Sequence, residues 1–238
     1  MTIQEARTKT RDSLAVHPVE ESAIYEKIHA AVVERRLLPG VRLVEDQLAE
    51  VFGVSRMRIR SVLRSLAHDK IVTIHRNRGA VVAYPSVREA REVFAARRLI
   101  EVALAPDIVD KSSPTALQRL RTHVKREKQI AGKSNRALEL KTSHDFHTML
   151  AEVTSNRVVV EFLRELMTRS LLITAVYERP DVSSCSHQAH GHLIDFIERG
   201  DVEGLTKAMR QHLDEIENDL VLFERQEFSA DIRTVFGS

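Results

Sequence analysis

Leu48-Ala49-Glu50-Val51-Phe52-Gly53-Val54-Ser55-Arg56-Met57-Arg58-Ile59-Arg60 is the stretch that decides the fold. It reads as two short helices joined by a tight turn, the second rich in arginine. Ala49 is the small residue that lets the helices approach. Gly53 can take the left-handed conformation that ends the first helix without a Cβ penalty. Ser55 can then cap the second by accepting a hydrogen bond from its free N–H groups. Ile59, Val62, Leu63 and Leu66 follow the i, i+3, i+4, i+7 rule and give that helix one apolar face. Arg56, Arg60 and Arg64 fall at i, i+4 and i+8, so they form a cationic ridge away from the core. This is the layout of a recognition helix that lies in the major groove of DNA.

The flanking sequence extends the pattern. Ile71-Val72-Thr73-Ile74-His75 is short, β-branched and strand-like. Arg76-Asn77-Arg78-Gly79 supplies turn chemistry, and Ala80-Val81-Val82-Ala83-Tyr84 makes a second strand. Upstream, Ile24, Ile28, Ala31 and Val32 form the stripe of a first helix, and Leu38-Pro39-Gly40 turns the chain into Val41-Arg42-Leu43. The N-terminal unit expected over 22–84 is therefore a winged helix-turn-helix with a small β-hairpin wing. Arg56 and Arg60 are the expected base readers, each able to donate bidentately to guanine O6 and N7. Ser55, Arg58, Arg76, Arg78 and Gly79 are expected on phosphate or backbone, and Arg64 is a solvated charge.

Charge points the same way. Residues 22–84 hold eleven Lys and Arg against six Asp and Glu, a net of +5, although the whole chain is only +2. A basic module on a mildly acidic remainder fits nucleic acid as the first module's partner. Residues 1–21 read as a flexible arm: Met1 to Pro18 is polar and lacks the apolar stretch of a secretory signal. Arg7, Lys9 and Arg11 keep DNA contact open for it. Cys185 is the only cysteine, so no disulfide forms within the chain and a cytoplasmic location is expected. No apolar run approaches the ~20 residues that span a bilayer.

From Pro85-Ser86 onward the pattern is helical. Ser86 with Glu89 makes a capping box, Ser113 with Pro114 opens another helix, and Asp201 after Gly200 opens the last. The spacing predicts helices over 86–110, 114–131, 135–153 (after Ser134), 156–178, 184–199 and 202–226. The fold class is thus mainly α, the winged helix preceding an antiparallel bundle of about six helices over 85–226, with a tail at 227–238 that either packs or frays. His144, His147, His187, His190, His192 and His212 lie in the bundle, more than half of the chain's eleven histidines. Bundle interiors gather side chains from facing helices and so favour metal sites. Three neutral imidazoles suit zinc or nickel.

Two resemblances sharpen these expectations. Ile24 to Tyr84 resembles the DNA-binding domain of the GntR family of bacterial transcription regulators. The shared words are Leu38-Pro39-Gly40-Val41-Arg42-Leu43, Gln47-Leu48-Ala49-Glu50, Gly53-Val54-Ser55-Arg56, Ile59-Arg60 and Arg78-Gly79. Arg58 stands where members commonly carry proline, and Val44 where they carry serine. Residues 86 to about 222 resemble the FCD ligand-binding domain of the FadR subfamily. They do so through Arg97-Arg98-Leu99-Ile100-Glu101, Asp145-Phe146-His147, Ser155-Asn156, His190 through Gly200-Asp201, and Met209-Arg210-Gln211-His212-Leu213.

The second resemblance implies a divalent metal on His147, His190 and His212. The family's acidic ligand falls at Ser143, and Asp145 lies roughly 200° around the helix from His147. The fourth ligand is therefore His144, Ser143 through water, or the effector. The implied function is a regulator, commonly a repressor, that binds an inverted repeat of double-stranded operator DNA as a homodimer. Its affinity would be set by a small carboxylate held by the metal and by Arg97 or Arg98, although Arg97 could instead pair with Glu101 at i+4. It is not read as an enzyme. The alternatives are a metal-dependent enzyme, for which no H-E-x-x-H or other catalytic set appears, or a metal-ion sensor with a DNA-binding domain.

Overall fold

The computed structural model describes residues 20–76, 79–133, 135–179, 187–223 and 232–236. Arg78 of the wing, Ser134, Cys185 and residues 1–19 of the N-terminal arm lie outside them, while Glu21, the arm's last expected residue, opens the first helix. Helix α1 (Glu21–Val33) is followed by strand β1 (Arg42–Leu43), α2 (Glu45–Phe52), α3 (Arg56–His68), β2 (Val72–His75) and β3 (Gly79–Val82). Gly53 ends α2 at φ +64° and Ser55 caps α3 by accepting from the Arg58 N–H. Ile24, Ile28, Leu48, Ile59, Leu63 and Leu66 close one core, as the stripes on α1 and α3 require.

The expected hairpin forms from β2 and β3, and β1 adds a third strand to it. The wing is a three-stranded antiparallel sheet ordered β1-β3-β2, with Arg42 opposite Val81 and Ile74 opposite Ala80. A two-residue strand shows no periodicity of its own. β1 exists because Gly40 and Val41 exchange backbone hydrogen bonds with Val82.

The bundle comprises α4 (Val87–Ala103), α5 (Ala105–Lys111), α6 (Pro114–Ile130), α7 (Arg136–Glu152), α8 (Arg157–Tyr177), α9 (His187–Glu198) and α10 (Val202–Asn218). Ser86, Ser113 and Asp201 cap α4, α6 and α10 as the sequence implies. The single helix expected over 86–110 is two. Pro106 in the first turn of α5 has no N–H to continue the α4 ladder, and the break falls at Leu104. The last long helix stops eight residues short of 226. Beyond it Leu220 pairs with Glu178 as an isolated antiparallel bridge, and the Val221 N–H donates to the Tyr177 carbonyl.

The two cores touch through α8. Leu172 on that helix is buried among the winged-helix residues, while Ile173 and Tyr177 belong to the bundle core. The tail neither frays nor stands apart where it is described. Helix α11 (Ile232–Phe236) returns to the winged helix, burying Ile232, setting Phe236 against Phe52 at 5.2 Å and pairing Arg233 with Glu50 at 2.7 Å.

Candidate metal centre

Helices α7, α9 and α10 bring His147, His190 and His212 together. One nitrogen of each lies within 4.8 Å of the others, and the ring centroids are 5.0 to 5.3 Å apart. All three are buried, at 2%, 0% and 3% exposure. Two of the rings are held by carboxylates. His147 Nδ1 is 2.5 Å from Glu101 on α4, and His190 Nδ1 is 2.9 Å from Glu127 on α6. With Nδ1 committed, Nε2 is the nitrogen that can face a cation, which is the arrangement that orients histidine ligands in metalloproteins. Phe146 stacks on the His190 ring at 4.0 Å and fixes it from the side.

Electrostatics favour metal-ready imidazoles. Burial lowers the His147 pKa to about 4, against the pull of Glu101, and lowers that of His190 to about 3. Burial and the neighbouring imidazoles drive His212 well below its ordinary value. All three are neutral at pH 7, the form that binds metal. Burial lifts Glu101, but Arg97 and His147 outweigh it and hold that carboxyl at about 2. Burial raises Glu127 to about 7, against the pull of His123, His147 and His187. The donor set fits zinc or nickel: three neutral nitrogens, two with carboxylate orienters, in a dry interior. His212 also lines a groove of about 770 Å³ between α9 and α10, with His192, Phe196, Lys207 and Gln211.

Arg97 lies against this cluster. It donates to Glu101 and to Ser170 on α8, both at 2.8 Å, while its Nη2 is buried without a partner. The expected intrahelical pair with Glu101 thus forms and still leaves one guanidinium nitrogen open. Arg98 is not brought to the cluster: it pairs with Glu217 and Asp214 of α10 at 2.5 and 3.3 Å. Among the described residues, His144 stands outside the group of mutually close ligand atoms. Its Nδ1 donates to the Leu140 carbonyl at 2.8 Å, and Ser143 Oγ has no partner. Glu101, Glu127 and Ser170 were not legible as parts of this centre, nor was His123, which meets the Thr142 carbonyl at 2.8 Å. Their contacts span 19 to 73 residues of chain, a separation at which helical periodicity carries no signal.

On α3, Arg56 and Arg60 are exposed and paired with acids at the start of α2. Arg56 Nε is 2.7 Å from Asp46, and Arg60 forms a two-pronged contact with Glu45 at 3.2 and 2.8 Å. Ser55 is also exposed, and Arg58 is half-buried beside it. Arg76 is exposed at the end of β2, and Gly79 opens β3 at φ +78°.

Comparison with known proteins places this geometry. The family described as "Bacterial regulatory proteins, gntR family" matches residues 20–82, and the FCD domain matches 92–215, more than half of the chain. The chain belongs to the GntR family. It is a transcriptional regulator with an FCD domain, and regulators of this family bind operator DNA. This GntR regulator is similar to the Uxu operon regulator of Haemophilus influenzae, 25% identical over 198 residues that cover 76% of this chain and 73% of that protein. It is also similar to the transcriptional repressor RspR of Escherichia coli, 22% identical over 207 residues covering 84% and 87%. Among solved structures, a GntR regulator from Rhodococcus sp. RHA1 shares the fold at a TM-score of 0.69 and 20% identity, covering 83% of this chain and 95% of that one. Escherichia coli McbR/YncC does so at 0.65 and 16%, covering 82% and 93%.

Proposed function

We propose that this GntR regulator is a homodimeric, cytoplasmic repressor whose operator affinity is set by a small carboxylate bound at a divalent metal. His147, His190 and His212 hold the metal, zinc or nickel, and the carboxylate takes the open coordination position. Arg97 Nη2, buried and without a partner beside the three imidazoles, carries this reading. A guanidinium presented that way awaits an anionic acceptor. The division into an arm (1–21), a winged helix (22–84), an effector domain (85–226) and a tail (227–238) goes with it. So does the assignment of Arg56 and Arg60 to bases and of Ser55, Arg58, Arg76, Arg78 and Gly79 to phosphates along an inverted repeat. The name of RspR supports repression.

The test is titration of the zinc-loaded chain with small acids while its affinity for DNA selected from a random duplex pool is followed. Release of DNA by an acid in the wild type, and not in Arg97→Gln, is expected. A DNA affinity that follows zinc alone and ignores every acid makes the protein a metal sensor instead.

A further inference from the structure

Met57 is the most exposed of the large apolar side chains among the described residues, at 80%. It is the second residue of α3, directly after Arg56. At about 100° per residue it points roughly 180° from the mean direction of Ile59, Val62, Leu63 and Leu66, the face that closes the core. Arg60 and Arg64 flank it on one side and Ser61 on the other. Among the described residues, Met57 belongs neither to the winged-helix core nor to the partly buried side chains packed against it. Its methylenes and thioether therefore stand in water, where they add little to folding.

What such a side chain can meet follows from where the proposal above puts α3. The N-terminal residues of a helix lying in the major groove approach base edges, and Met57 stands at the crest of that end. Its sulfur is at most a weak acceptor and it has no donor. It cannot read the polar base atoms that Arg56 and Arg60 address. The major groove presents one apolar group, the C5-methyl of thymine. Methionine suits that target, because its unbranched chain and polarizable sulfur adapt to an irregular apolar surface. Arg56 and Arg60 must first leave Asp46 and Glu45, whereas Met57 is already exposed.

Resting on the base-reading role of α3, we propose that Met57 is a third specificity residue, which selects a thymine in each half-site through its C5-methyl group. The contact excludes water from that methyl and neutralises no phosphate. It therefore adds sequence preference without adding to the salt dependence that the cationic contacts produce.

Anisotropy titration of the full chain with its selected duplex tests this, each thymine being replaced in turn by deoxyuridine. The replacement removes one methyl and leaves the hydrogen-bonding edges unchanged. At one thymine per half-site the expected loss is about fourfold, the worth of burying one methyl, and about fifteenfold when both half-sites are changed. A C·G pair installed there regains affinity when its cytosine carries a 5-methyl group, which occupies the same place. Met57→Ala binds the thymine and deoxyuridine duplexes equally, with an unchanged salt dependence, while Met57→Leu keeps the preference. A selected half-site without thymine, replacement of every thymine without loss, or a loss that Met57→Ala retains in full overturns the assignment and leaves Arg56 and Arg60 as the readers. A wild-type chain that selects no sequence from the random pool overturns both readings.

Discussion

Arg35 is joined to Glu178: its Nη2 donates to the Glu178 main-chain oxygen at 2.5 Å, and its Nε donates to the Ala175 carbonyl. Arg35 sits just past α1 at φ +57°, a left-handed conformation uncommon outside glycine. The Glu178 side chain is held in turn by Arg136 of α7. Helix α8 therefore carries Ser170, tied to Arg97, on one side and grips the winged helix through Leu172, Ala175 and Glu178 on another. These contacts join the candidate metal centre and the winged helix through one continuous helix.

Arg35→Gly removes the clamp and fits the backbone. Charged hydrogen bonds of about 1.5–3 kcal/mol are lost against roughly 1 kcal/mol of strain relieved. The expected result is two resolved thermal transitions where the wild type shows one, with zinc raising only the bundle's midpoint. Calorimetry of the variant checks this; a single transition that zinc raises as a whole contradicts it.

Arg56 and Arg60, the proposed base readers, are each held by an acid of α2. Arg60 must leave Glu45, whose carboxyl pKa is lowered by its hydrogen bond to that guanidinium. Glu45→Gln is expected to tighten binding severalfold at low salt, for specific and scrambled duplexes alike, because it removes a competing charge. Arg60→Ala costs about 1–3 kcal/mol on the selected sequence and much less on scrambled DNA. Anisotropy titrations separate these outcomes, and equal losses on both duplexes make Arg60 a phosphate contact.

Acid acts on the bundle through its buried imidazoles. His144, His147, His190 and His212 all titrate below their ordinary value, because burial disfavours the charged ring. Between pH 6.5 and about 4.5 the unfolded chain binds protons there that the folded chain refuses, so stability falls with pH. Glu127, raised to about 7, binds its proton early in the folded state and offsets one of the four. The net slope for metal-free protein is up to roughly 4 kcal/mol per pH unit. His144→Phe should reduce it by about 1.4 kcal/mol per unit. Urea unfolding at pH 7, 6 and 5 measures the slope, and a flat profile contradicts the buried-neutral assignment.

Local features were legible because their causes are local. Gly53, Ser55, Ser86, Ser113 and Asp201 each terminate or cap a helix through atoms two or three residues away. The stripe Ile59, Val62, Leu63, Leu66 is a buried face as its spacing demands. Pro106 carried the signal for the break at Leu104, which helical periodicity on both sides overrode. The β1 pairing, the bridge between Glu178 and Leu220 and the docking of α11 had no such signal, since each depends on a partner distant in sequence. At the candidate site the three histidines were legible from the resemblance. Their carboxylate orienters, Glu101 and Glu127, emerge only when α4 and α6 pack against α7 and α9.

The central claim is the metal centre. The direct measurement is elemental analysis of untagged full chain after incubation with zinc and with nickel, beside a His190→Ala variant of unchanged helicity. About one equivalent per chain in the wild type, and essentially none in the variant, is the expected result. No bound metal in the wild type, or an equivalent that survives His190→Ala, contradicts it.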